Sequence, residues 1–159
     1  MSHHVHGYRW IGQGGRLGQE GVRRPYHPEF GGDDRPPMMM HHWLLKPGRM
    51  VRGTWTSAVE AVDWLAEEWR RLDAPPPVAA ALSEADRCRN AQDQLEQGND
   101  AVWAGWLPGD RFVSLAAVCC PHRGLHGPAL PCPLAVSPSA GPDPDPDPVP
   151  PAGSRREPP

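Results

Sequence analysis

A chain of 159 residues with 22 prolines and 17 glycines has room for one domain, and the crowding of those residues at both ends leaves about 90 residues able to pack. The net charge of −3 divides into +4 over residues 1–52 and −7 over residues 53–159; an acidic body excludes broad nucleic-acid affinity and leaves any polyanion contact to the basic head. No run approaches the ~20 apolar residues of a membrane helix, and Met1-Ser2-His3-His4-Val5-His6 leads into no apolar secretion core, so no membrane partner and a cytoplasmic location are expected, where stable disulfides are unusual.

Residues 1–42 carry Gly12, Gly14, Gly15, Gly18, Gly21, Gly31 and Gly32 among scattered Arg and His. With no apolar periodicity to bury a face, they read as a disordered, basic Gly/His-rich head. Met38-Met39-Met40 offers alternative starts within it. Removal of Met1 would expose Ser-His-His, whose amine, amides and His4 imidazole suit square-planar Cu(II) or Ni(II). The Gly12-Gln13-Gly14-Gly15-Arg16-Leu17-Gly18 run follows no strand and lacks the third glycine of a dinucleotide fingerprint and the Gly-Lys-Ser/Thr of a phosphate loop.

A compact α+β domain is expected over residues 43–133. It starts at Trp43-Leu44-Leu45, turns at Lys46-Pro47-Gly48 and continues as an extended Arg49 to Trp55. Ser57 with Glu60 has the spacing of a capping box. Ala58, Val62, Leu65, Trp69 and Leu72 then recur on one helical stripe, widened by Ala61 and Trp64, until Pro75-Pro76-Pro77 stops it. A second helix is expected from Val78 to Gln97, with Val78, Leu82, Ala85, Cys88 and Leu95 near one face, antiparallel to the first across the proline connection.

Ala101 to Leu107 and Arg111 to Val118 flank Pro108-Gly109-Asp110 as a β-hairpin. Both of its faces look apolar, so helices on one side and the Met50 to Trp55 strand are expected to cover it. The resulting architecture is an antiparallel helix pair packed on a hairpin or three-stranded antiparallel sheet. Trp64, Trp69, Trp103 and Trp106 are assigned to its core. Residues 134–159, with Pro and Asp alternating through 142–148, read as a disordered Pro/Asp-rich tail of polyproline II character.

The chemistry-bearing residues gather where the hairpin ends. Cys119, Cys120, His122, His126 and Cys132 are thiols and imidazoles compatible with a tetrahedral zinc, although the second cysteine pair of a zinc ribbon is missing. A Cys120–Cys132 disulfide would close a short loop worth ~3 kcal/mol if oxidised. A nucleophilic Cys120 would use His122 or His126 as base, yet no third residue presents itself to orient that histidine.

The series Thr54-Trp55-Thr56-Ser57, Val62-Asp63-Trp64-Leu65, Val102-Trp103, Val118-Cys119-Cys120-Pro121 and Pro131-Cys132-Pro133-Leu134 resembles small uncharacterised proteins of GC-rich bacteria, some carried on plasmids or integrated elements. The resemblance covers residues 43–134. It implies a shared compact domain and brings no activity with it.

With no assembled catalytic set, the first expectation is a non-enzymatic cytoplasmic interaction domain with an unidentified protein partner, an accessory of a mobile element, needing no cofactor. In that reading the Cys/His segment closes the domain. Two alternatives stay open: a Cys/His metal-binding regulator, with zinc as cofactor and the basic head touching nucleic acid, and a thiol-based redox sensor or enzyme acting through Cys120.

Overall fold

The computed structural model describes residues 3–73, 82–122 and 129–135, so the proline tail from residue 136, His126 and the connection over 74–81 lie outside the described residues. The fold is α+β. Strands β1 (His4–Gln13), β2 (Gly53–Trp55), β3 (Ala101–Leu107) and β4 (Arg111–Cys120) form one antiparallel sheet in the order β2-β1-β4-β3. Helices α1 (Ala58–Arg70) and α2 (Glu84–Glu96) pack on one face. Short 3₁₀ turns, chiefly Met40–Leu45, cover the start of β1 and the end of β4 on the other.

Alternation along the strands creates the two layers, since successive residues point to opposite faces. On the helical side Val5, Val113, Leu115, Ala117, Cys119, Trp103 and Leu107 meet Ala61, Val62, Leu65, Trp69, Ala91 and Leu95. This is the stripe that the α1 spacing predicts. The Arg87 guanidinium lies 4.4 Å from the Trp69 ring centroid and 4.1 Å from that of Trp103, joining α2 to α1 and β3 by cation–π contact. On the opposite face Tyr8, Ala116, Val118 and Cys120 meet Trp43 and Leu44, with Tyr8 stacked on Trp43 at 4.7 Å.

Four elements depart from expectation. The largest departure is β1, which the sequence places in a disordered head and the structure places second in the sheet, pairing with β4 along ten residues from His4↔Cys120 to Gln13↔Arg111. Its inward face on one side is His6, Tyr8 and Trp10, which has no aliphatic signature. Its other face includes Gly7, where a Cβ would stand 2.9 Å from the rings of Trp55 and Trp64. Glycine at that point admits two indoles and hides the alternation.

Strand β2 spans three residues only, because Gly48–Met50 continues the Pro47 turn as 3₁₀ backbone. The hairpin is covered on one face at β3 rather than both: Trp106 is 59% exposed and Val102 38%, which removes Trp106 from the core assigned to it. Trp69 and Trp103 are buried as expected, joined by Trp10 and Trp43, while Trp64 is partly buried.

Helix α2 begins at Glu84, so Leu82 precedes it and is exposed. Its capping box is Ser83 with Asp86: Asp86 N–H donates to Ser83 Oγ at 3.1 Å and Ser83 N–H to Asp86 Oδ2 at 3.3 Å. Ser57, the predicted cap of α1, makes no such bond. Ser83→Ala is therefore expected to lower unfolding free energy by ~1 kcal/mol, and Ser57→Ala by distinctly less, as read from urea denaturation midpoints.

A candidate Cys/His metal centre

Antiparallel pairing places His4 directly opposite Cys120, and directly opposed residues share a face with their Cβ atoms ~5 Å apart. His6, two residues along β1, projects from the same face. The fourth contributor is Cys132, carried by the 129–135 segment that returns over the Tyr8/Trp43 layer. That segment is seated by close approach to Gly48, where a Cβ would lie 2.7 Å from the Pro133 carbonyl oxygen, and turns through an Ala135 N–H to Cys132 carbonyl bond of 3.0 Å.

The result is a cluster of one ligand atom each from His4, His6, Cys120 and Cys132, all within 4.8 Å of one another. His4 Nε2 and His6 Nε2 are 3.1 Å apart. Cys132 Sγ is 3.4 Å from His6 Nε2 and 3.5 Å from His4 Nε2. Ligands at ~2.05 Å (N) and ~2.3 Å (S) in a tetrahedron stand about 3.3 Å (N to N) and 3.6 Å (N to S) from each other. His4, His6 and Cys132 thus stand at the spacing a four-coordinate ion requires, with Cys120 within 4.8 Å of each, and the residues could hold a metal.

The surroundings favour that use. His6 Nδ1 lies 2.8 Å from Thr54 Oγ1, its opposite number on β2; an Nδ1–H donating there leaves the Nε2 lone pair facing the cluster, the outer support common to metal-bound histidines. Burial, reinforced by His4, pushes His6 down to about 4, so its imidazole is neutral near pH 7, the ligating form. All four cysteines are free thiols. Burial, then the neighbouring Cys132, pushes Cys120 up to about 12. A nucleophilic cysteine needs the opposite shift, while a bound cation would deprotonate the thiol outright.

Of the five residues the sequence singles out, two enter this cluster. Cys119 points to the other face of β4, fully buried, with Sγ 3.4 Å from the Asn99 carbonyl oxygen beside α2; adjacent strand residues cannot share a face. His122 joins a different group, with His41 and Asp100. His126 lies outside the described residues. The two histidines, which the sequence does not connect with the thiols, carry one usable signal, the His-x-His spacing of residues 4 and 6, which on a strand places both rings on one side. His4 is thereby directed to the thiols, and the terminal amine of the expected copper arrangement lies outside the described residues.

Much of the head's basic charge is tied down internally. Arg16 pairs with Asp34 at 2.9 Å, Arg24 with Glu20 at 3.3 Å and Arg35 with Asp33 at 2.5 Å, while Arg23 donates to the carbonyls of Leu17 and Pro36. Lys46, 2% exposed, donates to the carbonyls of Phe30 and Asp33, and burial lowers its pKa to about 8. Among the described residues no helix is long and apolar enough to cross a membrane. No protein-family model, curated protein or solved structure matches the chain.

Proposed function

We propose that this chain is a non-enzymatic zinc-binding domain in which His4, His6, Cys120 and Cys132 hold one ion that fastens β1 and the Cys132 segment to the end of β4. The observation that carries this reading is the convergence of four soft or borderline donors from three separate stretches of chain within 4.8 Å of one another, with His4, His6 and Cys132 at tetrahedral spacing. A set of two thiolates and two imidazoles selects zinc over magnesium or calcium, which take oxygen. Four protein ligands leave no coordination position for a substrate, the pattern of structural rather than catalytic zinc. A reducing cytoplasm, which keeps thiols available for metal, is the compartment that suits it.

This reading merges two expectations from the sequence. The cluster closes the domain, as first expected, and it does so by the metal chemistry held there as an alternative. The nucleic-acid half of that alternative receives less support, because phosphates would have to displace the carboxylate partners of Arg16, Arg24 and Arg35. A thiol enzyme is supported least, given the direction of the Cys120 shift.

An ion that binds only the folded chain stabilises it by mass action, by about 4 kcal/mol at a thousandfold excess over Kd. For a domain of this size that corresponds to a rise in Tm of ~10–20 °C. Scanning calorimetry of the full chain with zinc, and again after a strong chelator, is expected to show that difference. Identical melting under both conditions would remove zinc from the account.

A further inference from the structure

A second group of ligating side chains lies on residues that the Cys/His centre does not use. His41, in the 3₁₀ turn Met40–Leu45, Asp100, just before β3, and His122, just after β4, offer three donor atoms within 4.8 Å of one another. The His41 and His122 rings are stacked at 4.2 Å with 19° between their planes. His42 packs edge-on against His41 at 4.4 Å.

Three features make this group more than a surface coincidence. The Asp100 carboxylate is held in place by Cys119 N–H, which donates to Oδ1 at 2.9 Å. Nδ1 of His122 is buried with no hydrogen-bond partner among the described residues, and a buried imidazole nitrogen left unpaired carries a desolvation cost of ~1–3 kcal/mol that a bound cation would remove. The three residues also come from three separate segments fixed by the sheet and by the layer over it, so their meeting is set by tertiary structure rather than by a run of polar sequence.

We infer that His41, Asp100 and His122 form a second, coordinatively open site for a divalent first-row transition ion such as Zn²⁺, Co²⁺ or Fe²⁺. Two imidazoles and one carboxylate suit such ions and do not suit calcium or magnesium. Three protein ligands leave at least one position for water or a small exchangeable anion, in contrast to the closed Cys/His set. The two sites share no residue, so each can fail without the other.

Cobalt titration of the full chain separates them, because Co²⁺ on thiolate gives an intense charge-transfer band in the near ultraviolet and Co²⁺ on nitrogen and oxygen gives weak visible absorption alone. The expected result is two equivalents bound, one with the charge-transfer band and one without. His41→Ala and Asp100→Asn are each expected to abolish the second equivalent and leave the band intact. Cys132→Ser is expected to reduce the band by at least half and leave the second equivalent. Should Asp100→Asn lose its fold with the Cys119 contact, His41→Ala decides. Two equivalents in folded His41→Ala, or no band-free equivalent in the parent chain, would overturn the second site irrespective of the first.

Discussion

A chain beginning at Met38 is expected not to fold. It lacks β1, which pairs with both β2 and β4, so the sheet would be split and the ladder groups of β4 left without partners on one side. It also lacks Val5, Tyr8 and Trp10, each at most 3% exposed; burial of side chains of this size stabilises by roughly 1.5–3 kcal/mol each, a total that rivals the ~5–15 kcal/mol by which whole domains are stable. His4 and His6 go with them. Residues 38–159 are expected to give no cooperative thermal transition and no fixed near-ultraviolet circular dichroism. Cooperative melting close to that of the full chain would mean that the head is dispensable, and with it half of the proposed metal ligands.

The second large effect distinguishes adjacent cysteines. Cys119 and Cys120 are neighbours in sequence, yet the sheet sends one toward α2 and the other toward His4, His6 and Cys132. Cys120→Ser and Cys132→Ser are each expected to weaken zinc binding by more than ~100-fold, beyond the ~10–100-fold typical of losing an outer support such as Thr54. Cys119→Ser is expected to leave affinity unchanged and to register only in stability, because a hydroxyl there can still approach the Asn99 carbonyl. Competition titration against a chromophoric chelator reads all three. Equal losses at Cys119 and Cys120 would contradict the assignment of faces.

The contrast shows how far the sequence could be followed. Helix α1 is legible because Val62, Leu65 and Trp69 repeat with the helical period, and the hairpin because Pro108-Gly109-Asp110 punctuates two strand-forming runs. Strand β1 is not legible, because its buried face is built from His6, Tyr8 and Trp10 and its other face is interrupted by Gly7 to make room for Trp55 and Trp64. These residues read as polar or flexible until their partners are known.

The candidate site divides in the same way. Cys120 and Cys132 stand out by composition and by the prolines that follow them, so the thiol half is visible in the sequence. The imidazole half depends on register: nothing local says that His4 stands opposite Cys120, and the nearer His122 and His126 draw attention simply by proximity along the chain. Likewise Ser57 and Ser83 both stand at the N-cap with an acidic residue three positions on, and only Ser83 makes the capping bonds. Long-range pairing supplies what spacing alone does not.

The most direct test of the Cys/His centre is X-ray absorption at the zinc edge on the full chain loaded with one equivalent of zinc. The account predicts a four-coordinate ion with two sulfurs at ~2.3 Å and two nitrogens at ~2.0–2.1 Å, falling to one sulfur or to no bound zinc in Cys132→Ser. A first shell of nitrogen and oxygen alone, or of four sulfurs, would contradict it.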